Sequence, residues 1–234
     1  MRIQATQTHK GFTSLNNPIT PFVMNTKKGD VLISEIPAFY LRDEKFLKRI
    51  LQFFVKNFAS HTKDPYWLGY HHPQNRKSMI ALYASYMRPT ILKDDGNMTM
   101  LTAMDDEGKL CGACLSHAYN KIPNANKTTC YIEGLAIDNR FRKCNIGETL
   151  LNTTIEANKD TFTDVFLKGE NMAAGFYQKM GFEIMDKTKP FQKETVQLLA
   201  AQGEGYPDYI TFFTKPLQKD QPRWYEKISE WFNS

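Results

Sequence analysis

The chain has 234 residues, of which 30 are basic and 25 acidic, so its formal net charge is +5. This length is typical of one large domain or of one domain with appendages. Hydrophobic residues make up 41% of the chain, which is enough for a sizeable core and excludes wholesale disorder. No stretch approaches the ~20 apolar residues of a membrane span, and the first residues lack the apolar core of a signal peptide. We therefore expect a soluble, cytoplasmic protein that does not bind a membrane.

The positive charge is mild and is not gathered into a stripe of Lys and Arg, so we expect no nucleic-acid partner. It suits a polyanionic ligand. The cysteines are too few for a disulfide scaffold, and no second Cys-x-x-Cys or paired His motif completes a zinc site. We expect no metal and predict four buried core thiols, at Cys111, Cys114, Cys130 and Cys144.

The first third of the chain contains an arm, a strand and two helices. Residues 1–29 are polar and contain Pro18 and Pro21, which predicts an N-terminal arm. A short strand at 31–36 is stopped by Pro37. From Asp43 onward, apolar residues recur every three or four positions, which predicts an amphipathic helix of about four turns. A loop rich in aromatic residues and histidine follows at 61–77, and a second helix at 78–88 should end at Pro89.

The rest of the chain alternates between strands and helices. A hairpin is predicted at 98–119 around a DDEG turn, followed by a strand at 128–137. Next come a helix from Ile146 to about Ala157, a strand at 162–168 and a helix at 172–180 that Gly181 closes in left-handed conformation. Further strands are expected at 183–187 and 208–215, with a helical insertion at about 191–202 between them. We therefore expect one mixed α/β domain over 30–217 and an amphipathic helix over 218–234.

The stretch 131–151 is the most informative part of the sequence. A hydrophobic strand ends at Ile137, a basic turn follows, and a helix begins near Gly147. Such a junction offers unpaired backbone N–H groups and the positive end of a helix dipole to a phosphate or pyrophosphate. Arg140, Arg142 and Lys143 add positive charge. An ordinary strand-to-helix loop with a solvated basic face fits the same spacing.

Two segments resemble the Gcn5-related N-acetyltransferase (GNAT) family. Residues 142–147, RKCNIG, resemble the family signature R/Q-x-x-G-x-G/A, and residues 171–182 resemble N-x-x-A-x-x-x-Y-x-K-x-G-F. The resemblance covers 98–187 and extends to 31–97 as the first strand and two helices. It implies an α/β fold with a central, largely antiparallel sheet of six to seven strands, flanked by helices and splayed at the fourth strand.

The resemblance also implies a site for acetyl-CoA, which would be the co-substrate. Backbone groups of Leu135, Ala136 and Ile137 would contact its pantetheine arm. Asn171 would cap its own helix, contact the same arm, or do both. Asn145 stands where the family usually has glycine; Asn is the best non-glycine residue for a left-handed backbone, but its side chain would crowd the ligand. The residues implied to cradle the pyrophosphate are Arg142, Lys143, Cys144, Asn145, Ile146 and Gly147.

Two residues are candidates for proton transfer. An amine with a pKa near ~10.4 must lose a proton before it attacks a thioester. Glu133 is the candidate base because a carboxylate in an apolar strand is costly without a task or a partner, although a neighbouring Lys or Arg would also explain it. Tyr177 matches the family's tyrosine, which protonates the CoA thiolate; it is otherwise a packed core tyrosine.

The leading hypothesis is an acetyl-CoA-dependent N-acetyltransferase. The acetyl group would pass to a primary amine of a small molecule or peptide by direct attack in a ternary complex, in a monomer or homodimer. The aromatic loop, with Tyr66, Trp67, Tyr70, His71 and His72, would be an acceptor wall or a hydrophobic lid. Alternatives are a non-catalytic CoA-binding regulatory module, a transferase with a longer acyl or aminoacyl donor, and a domain that merely resembles the family.

Overall fold

One eight-stranded sheet organises the molecule. The structure, a computed structural model, describes residues 19–60, 69–92, 98–119, 129–185 and 210–217. The strands lie in the order β1-β2-β3-β4-β5-β6-β8-β7, and only the β5–β6 pair is parallel. The predicted insertion at 191–202 and the C-terminal helix lie outside the described residues. The strands are β1 Phe22–Thr26, β2 Gly29–Glu35, β3 Thr99–Asp105, β4 Leu110–Ala118, β5 Thr129–Ile137, β6 Asp164–Glu170, β7 Glu183–Ile184 and β8 Ile210–Pro216.

Within the described ranges, four α-helices cover the two faces of this sheet. The first pair, α1 Glu44–Ala59 and α2 Arg76–Leu92, packs on one face, and the second pair, α3 Ile146–Asn158 and α4 Ala174–Lys179, belongs to the core on the other. Helix α1 begins as predicted, because the Asp43 side chain accepts a hydrogen bond of 2.8 Å from the backbone N–H of Phe46. Gly181 has φ 80°, which confirms the left-handed helix end.

The predicted arm over 1–29 is wrong for its last part. Residues 22–26 form strand β1, which pairs antiparallel with β2, from Phe22 opposite Ile33 to Thr26 opposite Gly29. Gly29 supplies the positive φ, 109°, that a tight connection between two adjacent strands requires. The sheet therefore has eight strands instead of six to seven, and the implied fourth strand is β5.

The predicted end of the second helix is also wrong, since α2 continues through Pro89 to Leu92. A proline removes one backbone hydrogen bond and disfavours helical backbone at the preceding residue. Met87 and Ile91, 0% and 2% exposed, lie in the apolar cluster that α2 shares with α1. Burial of these two side chains holds the last turn in place despite the proline.

Strand β5 carries a bulge where the sheet opens. Its register against β4 shifts between Leu115 opposite Gly134 and Ser116 opposite Ile132, so Glu133 is the extra residue. Pairing with β6 stops at the same point, because Ile132 opposite Leu167 is the last pair although both strands continue. The splay expected from the family resemblance is therefore present, and Glu133 lies directly at it.

All four cysteines are buried and free, as predicted. Cys111, Cys114 and Cys130 are 0% exposed and Cys144 is 6% exposed. Burial raises the pKa of the Cys114 and Cys130 thiols to about 12. These side chains act as small apolar core groups.

Candidate active site

The bulge turns Glu133 toward the face of the sheet that α1 and α2 cover. A bulge places two consecutive residues on the same side of a strand. Gly134 follows Glu133 and faces the Phe54 ring of α1, while the Glu133 carboxylate reaches Tyr86 of α2. The carboxylate therefore lies between the splay of the sheet and the first two helices.

Two side chains hydrogen-bond Glu133. Its Oε2 lies 3.1 Å from Nε2 of His117, which projects from the neighbouring strand β4. The Tyr86 hydroxyl donates a second hydrogen bond. The Glu133 and His117 side chains are only 8% and 11% exposed. Among the described residues, neither Lys nor Arg forms a salt bridge with Glu133. Pairing with a neighbouring Lys or Arg, the alternative to a catalytic role, therefore does not explain this carboxylate within the described part of the chain.

Neither His117 nor Tyr86 was anticipated from the sequence. His117 lies in the apolar run CLSHAY, and Tyr86 in a helical run in which any tyrosine can be a core residue. The available signal was the alternation of strand β4, which places His117 on the same face as Ala113 and Leu115. The bulge that carries Glu133 toward these residues leaves no mark in the sequence.

The loop after β5 has left-handed backbone at two residues, one of which is Asn145. Lys143 has φ 58° and Asn145 φ 62°, and Asn145 is the residue directly before α3. The loop is anchored by buried Cys144 and Ile146, which are 6% and 1% exposed, whereas Lys143 and Asn145 are exposed. The first turn of α3 points its unpaired N–H groups at this loop, which gives an anion both dipole and hydrogen-bond partners.

Arg142 supplies positive charge beside this helix end. Its Nη2 donates to the Ser60 hydroxyl at the end of α1, 3.3 Å away. Burial lowers the pKa of Arg142 somewhat, yet the group is charged at neutral pH. None of the described carboxylates is within salt-bridge distance of Arg142, so its charge is available to an anionic ligand. Arg140, in contrast, is tied to Asp138.

The residues implied to contact the pantetheine arm lie along the opening in the sheet. Leu135, Ala136 and Ile137 pair with β4 on one side only, because β6 has already separated on the other. Backbone groups on the β6 side of this segment are therefore left for a ligand. Leu135 and Ile137 pack on the α3 and α4 face, and Ala136 on the α1 and α2 face.

Tyr177 lies on α4 across the opening, 9% exposed, and its ring packs against Phe213 with a centroid distance of 4.9 Å. Burial, and to a smaller extent the nearby Cys114, raises its pKa above the ordinary value. The phenol is therefore protonated at neutral pH. It has the packing of a core tyrosine together with the protonation state that a proton donor needs.

Asn171 does not cap its helix. It lies in the short 3-10 turn Asn171–Ala173. The residue directly before α4 is Ala173, whose methyl group cannot accept a hydrogen bond from the helix N-terminus. The Asn171 Oδ1 instead accepts a hydrogen bond of 2.5 Å from the Thr211 hydroxyl of β8. The capping alternative is wrong because the 3-10 turn separates Asn171 from the first turn of the α-helix.

The aromatic loop is only partly described. Tyr66 and Trp67 lie outside the described residues, and Tyr70 and His71 belong to the 3-10 turn Gly69–His71. The His71 imidazole is hydrogen-bonded at 2.8 Å to the carbonyl of Ala59, at the end of α1, and His72 is exposed. Within the ranges that the structure describes, no three His, Cys, Asp or Glu side chains are grouped as metal ligands.

A comparison with family models decides the classification. The model of the acetyltransferase (GNAT) family matches residues 54–182, which include Glu133, the loop with Asn145, and Tyr177. The chain belongs to the GNAT acetyltransferase family. It is therefore an acyltransferase by family, and the GNAT fold expected from its two sequence segments is confirmed. No protein with a curated description matches the sequence.

Solved structures of the GNAT fold are similar at low sequence identity. PH1933 from Pyrococcus horikoshii has a TM-score of 0.52 and 15% identity, over 80% of this chain and 98% of that one. A GNAT acetyltransferase from Staphylococcus aureus has a TM-score of 0.49 and 14% identity, over 80% and 99%. The PaiA N-acetyltransferase from Thermoplasma acidophilum, in complex with coenzyme A, has 0.49 and 14%, over 80% and 98%. These likenesses concern the fold alone. No helix among the described residues is long and apolar enough to cross a membrane.

Proposed function

We propose that this GNAT protein transfers the acetyl group of acetyl-CoA to a primary amine by direct attack in a ternary complex. The observation that carries the proposal is the position of Glu133. A nearly buried carboxylate, without a Lys or Arg partner among the described residues, lies in a bulge where the sheet opens. That is where a reacting amine would meet a thioester held between β5 and β6.

The donor half of the site fits the phosphates and the pantetheine arm of CoA. The loop 142–147 combines left-handed backbone at Lys143 and Asn145 with the N-terminus of α3 and the charge of Arg142. The exposed strand edge at Leu135 to Ile137 offers backbone groups to the amides of the arm. Asn145 occupies the position where the family usually has glycine. Its side chain is exposed, so it does not prevent the loop from forming.

The acceptor half requires a base and the donor half an acid. Glu133 takes a proton from the amine, whose nitrogen then attacks the thioester carbonyl carbon. The C–S bond breaks as the tetrahedral intermediate collapses, and the phenol of Tyr177 gives its proton to the thiolate. The attacking nitrogen loses its second proton to water, and the Tyr177 phenolate takes a proton back from water. Overall one acetamide, one CoA thiol and one proton form from the ammonium ion and acetyl-CoA.

A thermal-shift titration tests donor binding. Acetyl-CoA at 100 times its dissociation constant should stabilise the native chain by about 2.7 kcal/mol, which is several degrees in Tm. Arg142→Ala should remove most of this shift, while Arg49→Ala, which deletes an exposed arginine of α1, should retain it. Absence of a shift in the native chain contradicts the proposal.

Turnover tests the reaction itself. Release of CoA thiol is measured with a panel of primary amines, and Glu133→Gln should slow it by about 10²- to 10⁴-fold while leaving the acetyl-CoA thermal shift intact. Binding of acetyl-CoA without turnover on any amine would support the non-catalytic CoA-binding alternative. Turnover only with longer acyl-CoA donors would support the alternative of a transferase with a longer acyl donor.

A further inference from the structure

His117 makes two hydrogen bonds that determine where its protons lie. Its Nδ1 lies 2.8 Å from the carbonyl oxygen of Ala118, and its Nε2 lies 3.1 Å from Oε2 of Glu133. A carbonyl oxygen only accepts hydrogen bonds, so Nδ1 must carry a proton. A neutral ring with its proton on Nδ1 has a lone pair on Nε2.

The contact with Glu133 therefore needs one more proton. An ionised carboxylate also presents only lone pairs, and two acceptors do not form a hydrogen bond. The proton is either on Nε2, giving an imidazolium beside a carboxylate, or on Oε2, giving a carboxylic acid beside a neutral ring. In both cases the pair holds one proton more than a free carboxylate and a neutral imidazole together.

We propose that His117 is a positioning residue that joins Glu133 in one proton-accepting unit, in which the proton taken from the acceptor amine is held between Oε2 and Nε2. This inference rests on the proposed function. The structure shows this unit with the proton in place, and the unit must release that proton to water before it accepts one from the amine, which leaves an ionised Glu133 and a neutral His117. An N–H bond of the ammonium ion breaks and a bond from the same proton to Oε2 or Nε2 forms. The unit returns this proton to water before the next turnover.

The surroundings favour a unit of this kind. The ring of Tyr131 meets the His117 ring edge-on, with centroids 5.5 Å apart, and this contact fixes the imidazole plane. The titratable groups that face the pair are Tyr86 of α2 and Tyr131 of β5, and Tyr131 in turn interacts with Tyr83 and Tyr119. Burial, reinforced by the charge of Glu133, raises the pKa of both Tyr86 and Tyr131. These phenols therefore stay protonated at neutral pH.

The imidazole changes what the carboxylate can do. An ordinary glutamate has a pKa near ~4.3 and an ordinary imidazole near ~6.5, whereas a general base is most effective near the working pH. A proton accepted by the unit is shared between the Glu133 carboxylate and the His117 imidazole. The imidazole thus gives the proton a second acceptor atom beside the carboxylate.

Nitrogen NMR of the full chain with labelled histidine tests the proton inventory directly, between pH 5 and pH 9. We expect the native His117 to keep a proton on Nδ1 throughout, and the pair to hold one further proton, on Nε2 or on the Glu133 carboxyl group, at the lower end of this range and to lose it at the upper end. In Glu133→Gln the amide donates to Nε2, so the ring should be neutral with its proton on Nδ1 alone. Exposed His72 serves as the internal reference, and Tyr86→Phe, which keeps the contact with His117, as the matched variant. A pair that holds no further proton at any pH in this range, or a ring without a proton on Nδ1, overturns the proposal.

Rates on n-butylamine separate positioning from general damage. His117→Gln keeps a donor to Glu133 but has no titratable ring, and we expect kcat/KM to fall roughly 10- to 100-fold near pH 7. The loss should shrink toward pH 10, where the free amine needs no base, and the acetyl-CoA thermal shift should be unchanged. A loss that is equal at every pH overturns the proposal. Failure of acetyl-CoA to bind the native chain overturns the proposed function instead, and leaves the NMR result standing.

Discussion

A Cβ placed on Gly134 would lie 2.9 Å from Cε1 of Phe54, so helix α1 rests directly on the strand next to Glu133. The Phe54 side chain is 1% exposed, and its ring also packs against the rings of Phe53 and Phe58. Gly134→Ala should therefore destabilise the protein by about 1–3 kcal/mol, because an inserted methyl group strains a well-packed core. The measurement is the midpoint of urea unfolding, together with the rate of acetyl transfer, which should fall as the bulge shifts.

The matched control for this variant is Gly175→Ala. A Cβ at Gly175 meets nothing within 4 Å, and the residue lies inside α4 without a positive φ. This change should stabilise the protein by about 0.4–1 kcal/mol, because alanine loses less backbone freedom on folding than glycine. If both alanine variants changed the urea midpoint alike, the close packing at Gly134 would be the wrong explanation.

The left-handed backbone of Asn145 predicts a difference between two substitutions. Asn145→Ala should lower the free energy of unfolding by about 1 kcal/mol, because φ 62° is costly for a residue with an apolar Cβ. Asn145→Gly should be tolerated, and it should tighten acetyl-CoA binding because no side chain then faces the pyrophosphate. Chemical denaturation and calorimetric titration with acetyl-CoA measure the two effects. Equal stability of the two variants would show that the loop does not hold this backbone conformation.

The buried thiols should resist modification. At a pKa of about 12, about one in ten thousand of the Cys114 and Cys130 thiols is ionised at pH 8, and both side chains are 0% exposed. A thiol-reactive chromogenic disulfide should therefore label them no faster than the protein unfolds. Addition of denaturant should release all four cysteines at once. Rapid labelling of either thiol in the folded protein would contradict their placement in the core.

Asp138 should make stability depend on pH. Burial alone opposes its ionisation, but hydrogen bonds from the Arg140 side chain and backbone, both 2.9 Å, outweigh this and lower its pKa. Because the folded pKa is below the unfolded value near ~3.9, the stabilisation is present above about pH 4 and is lost as the pH falls through the folded value. Asp138→Asn should therefore cost about 1 kcal/mol at pH 7 and progressively less below pH 4.

The exposed Asp106 of the turn after β3 provides the comparison. Asp106→Asn should leave the pH dependence of unfolding as it is in the native chain. The free energy of unfolding of all three proteins is measured between pH 2.5 and 7. An effect of Asp138→Asn that is constant over this range would mean that the charge of Asp138 contributes nothing.

The periodic elements and the ligand-side motifs were predictable from the sequence. Hairpin β3–β4, helix α1 with its Asp43 cap and helix α3 occur where apolar spacing and capping place them. The left-handed backbone at Asn145 followed from the steric preference of asparagine. These features depend on a few neighbouring residues, so local sequence carries them.

Features that depend on distant packing were not predictable. Helix α2 passes Pro89 because Ile91 is buried against another element, and the edge strand β1 exists because β2 is there to pair with it. The same applies to the candidate base. Glu133 was identifiable as an unusual carboxylate in a strand, but its partners His117 and Tyr86 are set by a bulge and by a helix about 50 residues earlier in the chain.

The parting of β5 from β6 also makes a seam in the sheet. Among the residues that the structure describes, four pairs join β1–β5 to β6–β8 by strand pairing, from Thr129 opposite Asp164 to Ile132 opposite Leu167. Beyond them the sheet has an internal edge, whose free amide and carbonyl groups resemble those that attract foreign strands at an outer edge. A bound molecule with amide groups of its own would hydrogen-bond to this edge and link the two parts of the sheet. The occupied protein would then unfold as one cooperative unit, and the empty one would open first along this seam.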